Sequence, residues 1–125
     1  MESIGMAGCE LGVEGAKAMA ELVSVTGSLT SLDIGSNNLT NYGYDMTGIT
    51  AIAEALKVNG SLTSLYLAGN GIGPNGAVAI GEALKVNSSL TKLDVRYNSR
   101  MGECEEGNAA LQKAVEGRFG FELML

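Results

Sequence analysis

Gly71, Gly73 and Gly76 have the G-x-G-x-x-G spacing of a dinucleotide-binding turn. They lie in the stretch GNGIGPNG, which follows an apolar run and precedes a helical pattern. In such a turn, glycine lets the backbone approach a pyrophosphate, and an acidic residue farther along the chain binds the ribose. Asp94, near the end of the next apolar run, is placed to be that acid. The first question is therefore whether this segment binds a nucleotide cofactor.

The chain repeats one sequence unit about four times. SLTSLDIGSN starts at Ser28, SLTSLYLAGN at Ser61 and SLTKLDVRYN at Ser89, so the starts are 33 and 28 residues apart. The amino-terminal segment from Ile4 onward aligns to the same frame. Each unit has alternating apolar residues, typical of a short strand, followed by a helical pattern. We predict a strand–turn–helix unit in about four copies, with a closing fragment over 108–125.

This pattern resembles the leucine-rich repeat family, in the ribonuclease-inhibitor-like subclass found in the repeat domains of NOD-like receptors. The residues that match are Leu62, Leu65, Leu67, Asn70, Ile72 and Gly76. The resemblance covers nearly the whole chain and implies a single leucine-rich-repeat domain over 1–125. It implies an α/β fold, a short curved leucine-rich-repeat solenoid with parallel strands on the concave side and helices on the convex side. It also implies protein binding without catalysis.

The repeats predict that the glycines are structural. Where the third unit has Gly71, the first has Glu10 and the second has Asn38. Only the last glycine of the motif recurs, at Gly15, Gly48, Gly76 and Gly107. A residue required at every turn suits close helix packing or a left-handed backbone. We therefore expect no cofactor and no metal site.

Three asparagines follow their strands at the same offset. They are Asn37, Asn70 and Asn98, and Cys9 takes the equivalent position in the first unit. An asparagine side chain donates and accepts hydrogen bonds, so it can satisfy backbone groups that a buried turn leaves unpaired. The resemblance implies that these residues stack, and its pattern allows cysteine. We predict a structural asparagine ladder that includes Cys9 as a ladder residue rather than a reactive thiol.

The concave face of the predicted sheet is one candidate for binding a partner. Tyrosine and arginine dominate interface hot spots, and this face offers Tyr66, Arg96 and Tyr97 beside the acids Asp33 and Asp94. A solvated sheet face is the alternative.

Loop insertions offer a second candidate surface. From Asn37 to Gly48 is eleven positions, whereas from Asn70 to Gly76 is six, so the second unit carries five extra residues. The fourth unit is also longer. Insertions often mark a binding face, although tolerated surface variation is the alternative. The candidate contact residues on this rim are Tyr42, Tyr44, Asp45 and Arg100.

Composition narrows the function class. The net charge of −6 opposes binding to nucleic acid. No apolar run approaches the roughly 18 residues of a membrane span, and the start lacks the features of a secretory signal. Two cysteines are too few for a disulfide framework, which favours an intracellular location. We expect the cytoplasm first, with an organelle left open if a transit peptide has been removed.

We predict a non-catalytic protein–protein interaction module. The sequence has no histidine, so the commonest general base is absent. One alternative is a structural accessory subunit of a larger complex, because the first unit starts at its strand and solenoids need a cap or a neighbour. We therefore also expect a repeat-containing neighbour at the amino-terminal end, or a longer repeat protein of which this is the tail. A GTPase-activating fragment, with Arg100 as its arginine, is the third reading.

Overall fold

The computed structural model describes residues 2–98 and 105–125, and strands and helices alternate along this part of the chain. The elements are β1 (Glu2–Gly5), α1 (Gly12–Val25), β2 (Leu29–Asp33), α2 (Thr47–Val58), β3 (Ser64–Tyr66), α3 (Gly73–Val86), β4 (Lys92–Asp94), α4 (Glu105–Ala114) and β5 (Glu122–Met124). All neighbouring strands pair in parallel, in the order β1-β2-β3-β4-β5. The sheet is not closed, and the predicted α/β solenoid is confirmed.

The repeats stack in register across the sheet. Leu32 pairs with Leu65, and Leu65 with Leu93, and all three side chains are fully buried. The next residue along each strand points to the opposite face, because side chains alternate in a strand. We call that opposite face the concave face. It carries Gly5, Asp33, Tyr66 and Asp94 in one row.

The core between the sheet and the helices is aliphatic. In the described part of the chain, the buried apolar residues are all alanine, valine, leucine or isoleucine. Ile49, Ile52 and Leu56 form the buried face of α2, at the spacing of one helical stripe. On the outer surface of the same helix, Lys57 pairs with Glu54 at 3.0 Å, an exposed contact worth a few tenths of a kcal/mol.

Close packing of consecutive helices explains the recurring glycine. A Cβ added at Gly48 would lie 2.6 Å from Ala16 Cβ and 3.1 Å from the Val13 carbonyl oxygen. At Gly76 an added Cβ would lie 3.3 Å from Met46 Sδ. Neither glycine has a positive φ, so the reason for glycine here is space rather than backbone conformation.

The strand-to-helix turns are joined by a column of asparagine side chains, which we call the asparagine ladder (Asn37, Asn70 and Asn98). Asn70 Oδ1 accepts from the Asn37 N–H at 2.8 Å, and Asn98 Oδ1 accepts from the Asn70 N–H at 2.7 Å. The side-chain amide of each asparagine donates to carbonyl groups of the preceding unit and of its own unit. Each turn is thus held by the unit that follows it.

Cys9 differs from the asparagines at the equivalent position. Its backbone N–H donates to Asn37 Oδ1 at 2.8 Å, so its turn is held by the second unit. Its side chain is exposed, and Sγ lies 3.7 Å from the Ala7 carbonyl oxygen. This contact within its own unit has the same offset as the bond from Asn37 Nδ2 to the Gly35 carbonyl. A ladder role for the Cys9 side chain stays a prediction.

A second column of polar side chains closes the other end of each helix; we call it the helix-end ladder (Asn59, Asn87 and Arg118). Asn59 Nδ2 donates to the Val23 carbonyl at 2.8 Å, and Asn87 Nδ2 donates to the Leu56 carbonyl at 2.8 Å. These bonds satisfy carbonyls at the end of the preceding helix, which have no partner within it. Sequence analysis missed this ladder, although the segment KVN, repeated at 57–59 and 85–87 before GSL and SSL, was its signal.

Arg118 takes the last place in the helix-end ladder. Its guanidinium donates to the carbonyls of Leu84 and Asn87 at 3.0 Å each and to that of Leu90 at 2.6 Å. It also lies over the Phe121 ring, with Cζ 4.9 Å from the centroid. One arginine thus supplies the last stacked unit with donors that asparagine supplies elsewhere.

Replacing Arg118 with methionine is expected to lower the free energy of unfolding by about 1.5–3 kcal/mol, the range for a hydrogen bond to a charged group. Water can reach these partly buried carbonyls, so the three bonds do not add in full. Urea unfolding measures the change, and Lys113→Met, at an exposed lysine of α4, is the matched control. Equal effects of the two substitutions would contradict this role.

Candidate partner-binding groove

The inserted loop of the second unit is folded around Thr40. This side chain is fully buried, and its hydroxyl donates to the Asn70 carbonyl at 2.9 Å. The same oxygen accepts from the Gly43 N–H at 2.9 Å. Asn38 Oδ1 accepts from the Tyr42 N–H at 2.7 Å. The five extra residues are therefore tied to the third unit, and the tyrosines that they carry stand on a fixed backbone.

Asp45, which we predicted as a contact residue, is engaged at the start of α2. Its Oδ1 accepts from Thr47 Oγ1 at 2.6 Å and from the Thr47 N–H at 2.9 Å. These bonds hold the pKa of Asp45 below its ordinary value. Asp45 lies one residue before the N-cap Met46, so its carboxylate accepts from the first N–H of α2, where a negative charge is favourable. A contact between Asp45 and a partner stays a prediction.

Three tyrosines line one groove on this rim. Tyr42 is 74 % exposed, Tyr44 is 86 % exposed and Tyr97 is 83 % exposed. The groove has a volume of about 480 Å³. We call it the tyrosine groove, and the side chains that matter below are Tyr42, Tyr44, Met46, Pro74, Asn75 and Tyr97. The structure therefore brings together Tyr42 and Tyr44, predicted for the rim, and Tyr97, predicted for the concave face.

Tyr42 and Tyr97 share an unusual backbone conformation. Their φ angles are +57° and +60°, in the left-handed region that bulky residues rarely adopt. The turn positions that correspond to Tyr97 in the first, second and third units are Gly8, Ser36 and Gly69, with φ of +69°, +55° and +70°. Glycine would adopt this turn without strain. The exposed ring of Tyr97 thus stands where the fold alone would favour glycine.

The concave face carries charged groups that are already paired. Arg96 binds Asp94 through two bonds, Nε to Oδ1 at 3.0 Å and Nη2 to Oδ2 at 2.9 Å. Lys92 Nζ lies 5.4 Å from the centroid of the Tyr66 ring and 3.4 Å from Glu122 Oε2. Of the predicted contact residues, Tyr66 and Arg96 therefore have intramolecular partners on this face.

A fall in pH should reduce the contribution of Asp94 to the free energy of unfolding. Hydrogen bonds from Arg96 hold its pKa below the ordinary value, although burial opposes this. A carboxyl with a lower pKa in the folded state stabilises the fold above its unfolded pKa of about 4 and loses that effect as the pH falls. We expect the difference in unfolding free energy between the unsubstituted chain and Asp94→Asn to shrink from pH 7 to pH 3. Urea titrations measure it, with Glu82→Gln as an exposed control; a difference that grows in acid would contradict the assignment.

The glycine-rich turn is not free to bind a pyrophosphate. A nucleotide site of this kind uses backbone N–H groups at the helix start. Here the Ile72 N–H donates to Asn98 Oδ1 at 3.3 Å and the Gly73 N–H donates to the Asn98 carbonyl at 3.0 Å. The left-handed φ angles of Gly71 and Gly73, +67° and +64°, explain why these two residues are glycine. The turn thus serves repeat stacking.

Some predicted features fall outside the described residues. Arg100, the candidate for the fourth-unit loop and for a GTPase-activating arginine, lies there. In residues 2–98 and 105–125, no helix is both long and apolar enough to cross a membrane. The sequence did not predict that Asn75, Met46 and Pro74 would line a groove. Their signal was their position next to the recurring glycines, where the strand-to-helix turns of neighbouring units meet.

Comparison with known proteins agrees with the observed architecture. A family model described as leucine rich repeat matches residues 28–43, 58–81 and 86–102. A solved structure described as "Leiomodin-1 Actin-Binding Site 2 (ABS2)" superposes with a TM-score of 0.82 at 22 % identity, covering 98 % of this chain and 68 % of that one. No curated protein matches the sequence. Residues 28–43, 58–81 and 86–102 therefore match leucine-rich repeats, and the described part of the chain has the fold of an unclosed leucine-rich-repeat solenoid.

Proposed function

We propose that this chain is a non-catalytic protein-interaction module that binds its partner at the tyrosine groove. The observation that carries the proposal is the convergence of Tyr42, Tyr44 and Tyr97, all more than 70 % exposed, on one groove. A tyrosine buries about 150–250 Å² when it is covered and has a hydroxyl that can bond at the edge of an interface. Two such rings on the hydrogen-bonded inserted loop and a third on the turn after β4 are suited to anchor a partner.

The concave face supports this role less well. Tyr66 is only half-exposed and faces Lys92, and Arg96 already donates to Asp94. A partner there would have to replace existing contacts, whereas Tyr42 and Tyr44 lie open to solvent and Tyr97 is 83 % exposed, with Arg96 Cζ 6.0 Å from its ring centroid. Leucine-rich repeats are generally binding modules, and the groove offers no histidine or carboxylate among its described lining residues. Both points favour binding over catalysis.

Capture from an extract of the native cells tests the proposal. Proteins retained by the immobilised chain should be lost with Tyr42→Ser/Tyr44→Ser and kept with Phe119→Ser, a control at a fully exposed aromatic residue outside the groove. Tyr66→Ser tests the concave face in parallel. Loss with Tyr66→Ser alone would move the interface to that face, and retention by all variants would refute a tyrosine-based interface.

A repeat-containing neighbour at the amino-terminal end is a second candidate, favoured by the packing of the first unit. Ile4, Met6 and Met19 are only partly buried. Their equivalents in the third unit, Leu65, Leu67 and Ile80, are fully buried by stacking. Another repeat, from this protein or from a different chain in a larger complex, would cover the same face. Oligomers that dissociate on dilution, measured by light scattering, would support self-stacking, whereas a monomer at all concentrations would oppose it.

Two finer assignments rest on sequence. We infer the ribonuclease-inhibitor-like subclass from the 28-residue spacing between Ser61 and Ser89, and an intracellular location from the low cysteine content. The actin-binding description belongs to the leiomodin-1 structure. At 22 % identity that likeness concerns the fold and does not assign actin as a partner here.

A further inference from the structure

We propose that the tyrosine groove binds a proline-rich segment in the polyproline II conformation. This inference rests on the proposed function and names the chemical class of its partner. Three observations carry it: five backbone N–H groups at the groove are already bonded, its described lining is uncharged, and two of its tyrosines have a backbone conformation that favours glycine. The first observation opposes a ligand that adds a β-strand, the second opposes a charged ligand, and the third indicates that the rings serve binding.

The backbone at the groove does not offer a strand edge. The N–H groups of Tyr42, Gly43 and Tyr44 donate to Asn38 Oδ1, to Thr40 Oγ1 and to the Asn41 carbonyl. On the other side, the N–H groups of Ile72 and Gly73 donate to Asn98. A partner that adds a β-strand needs free backbone donors and acceptors. A polyproline II segment has no internal hydrogen bonds and does not need such an edge.

The side chains of the groove match what a proline-rich segment presents. Its pyrrolidine rings pack on aromatic faces, which Tyr42, Tyr44 and Tyr97 supply. Its carbonyls accept hydrogen bonds, and the tyrosine hydroxyls and the Asn75 amide are the donors. None of the described lining residues is charged. Among these described residues, a basic segment would find no carboxylate to pair with.

The positive φ angles of Tyr42 and Tyr97 indicate that these residues serve binding rather than the stability of the fold. A bulky residue at a positive φ is a strained choice, and such outliers concentrate at binding sites. Glycine takes this turn in the first and third units and Ser36 takes it in the second, so the turn itself does not require an aromatic ring. Tyr97→Gly thus separates the two roles, because it removes the ring and relieves the backbone at the same position.

The test is a titration of the ¹⁵N-labelled chain with a ten-residue proline peptide, followed by two-dimensional NMR. We expect shifts of the amides of Tyr42, Tyr44, Gly73 and Tyr97, with no comparable shifts at Tyr66. A glycine–serine peptide and a lysine peptide of equal length are the controls. Tyr97→Gly should weaken binding at least about tenfold, the loss of one hot-spot ring. Its thermal midpoint should be unchanged or higher, whereas Phe119→Ser should bind normally.

The outcomes separate this inference from the proposed function. Failure of the proline peptide to bind, while extract proteins are still retained through Tyr42 and Tyr44, would overturn the ligand class and leave the interaction surface. Preference for the lysine peptide, or proline binding that Tyr97→Gly does not weaken, would also overturn it. Loss of folding in Tyr97→Gly would show that the ring is structural and would overturn the argument from strain. A tenfold loss with an intact fold supports the inference.

Discussion

Asn70→Ala is expected to lower the free energy of unfolding by about 3–5 kcal/mol, because two or three buried groups lose their partners at about 1–3 kcal/mol each. Asn70 is 2 % exposed, so water cannot replace the lost bonds. Its Oδ1 accepts from Asn37 at 2.8 Å, and its Nδ2 donates to the carbonyls of Ile34 and Leu67 at 3.0 Å each. Chemical denaturation followed by circular dichroism measures the change.

Two further variants test the cause of that loss. Asn75→Ala changes an exposed asparagine five positions away and should alter stability by no more than about 0.5 kcal/mol. Asn70→Asp keeps the acceptor for Asn37 and places a carboxylate against two carbonyls, so its loss should be smaller in acid, where the new group is protonated. Equal stability of Asn70→Ala and Asn75→Ala would contradict the ladder.

Leu65→Ala is expected to lower the free energy of unfolding by about 2–5 kcal/mol, from lost transfer free energy and the cavity that remains. Leu65 is fully buried at the centre of the sheet, with Leu32 and Leu93 on either side in register. Neighbours on two strands hold the cavity open, which places the result toward the upper part of the range. The same denaturation measurement gives the change.

Val58→Ala is the matched control for Leu65→Ala. It also shortens an aliphatic side chain, but at an exposed position at the end of α2. We expect a change within about 0.5 kcal/mol. A loss below 1 kcal/mol for Leu65→Ala would mean that the sheet relaxes around the cavity and that the central repeat is loosely packed.

The losses of stability expected for Asn70→Ala and Leu65→Ala bear on function because both residues belong to the repeats that support the tyrosine groove. Asn70 holds the turn of the second unit, and its own carbonyl accepts from Thr40, on which the inserted loop is folded. Asn70→Ala should therefore weaken partner binding through the loop, whereas Tyr42→Ser/Tyr44→Ser should weaken it without loss of stability. Comparing the two variants separates the position of the rings from their contact with a partner.

The sequence by itself determined the repeat, the fold and a structural role for the recurring glycine, and it left two reasons for that glycine, space and a left-handed backbone, for the structure to decide. These follow from local patterns: alternation places Leu65 and Leu67 on one buried face, and the 28-residue period of the last units sets the stacking. A residue type that recurs at a fixed offset in every unit occupies the same local backbone position each time, and so has the same structural role. The repeat of asparagine at positions 59 and 87, at the end of two successive helices, would by the same argument have predicted the helix-end ladder.

Only the tertiary structure decided which side chains meet across units. Tyr42 and Tyr97 are 55 positions apart (97 minus 42), and no local rule puts their rings beside one groove. Arg118 breaks the repeat pattern, so its place in the helix-end ladder could not be found by alignment of units. The backbone strain at Tyr97 is likewise invisible in sequence. The physical reason is that local propensity fixes each unit, whereas contacts between units depend on how the turns are stacked and on the exact path of the inserted loop.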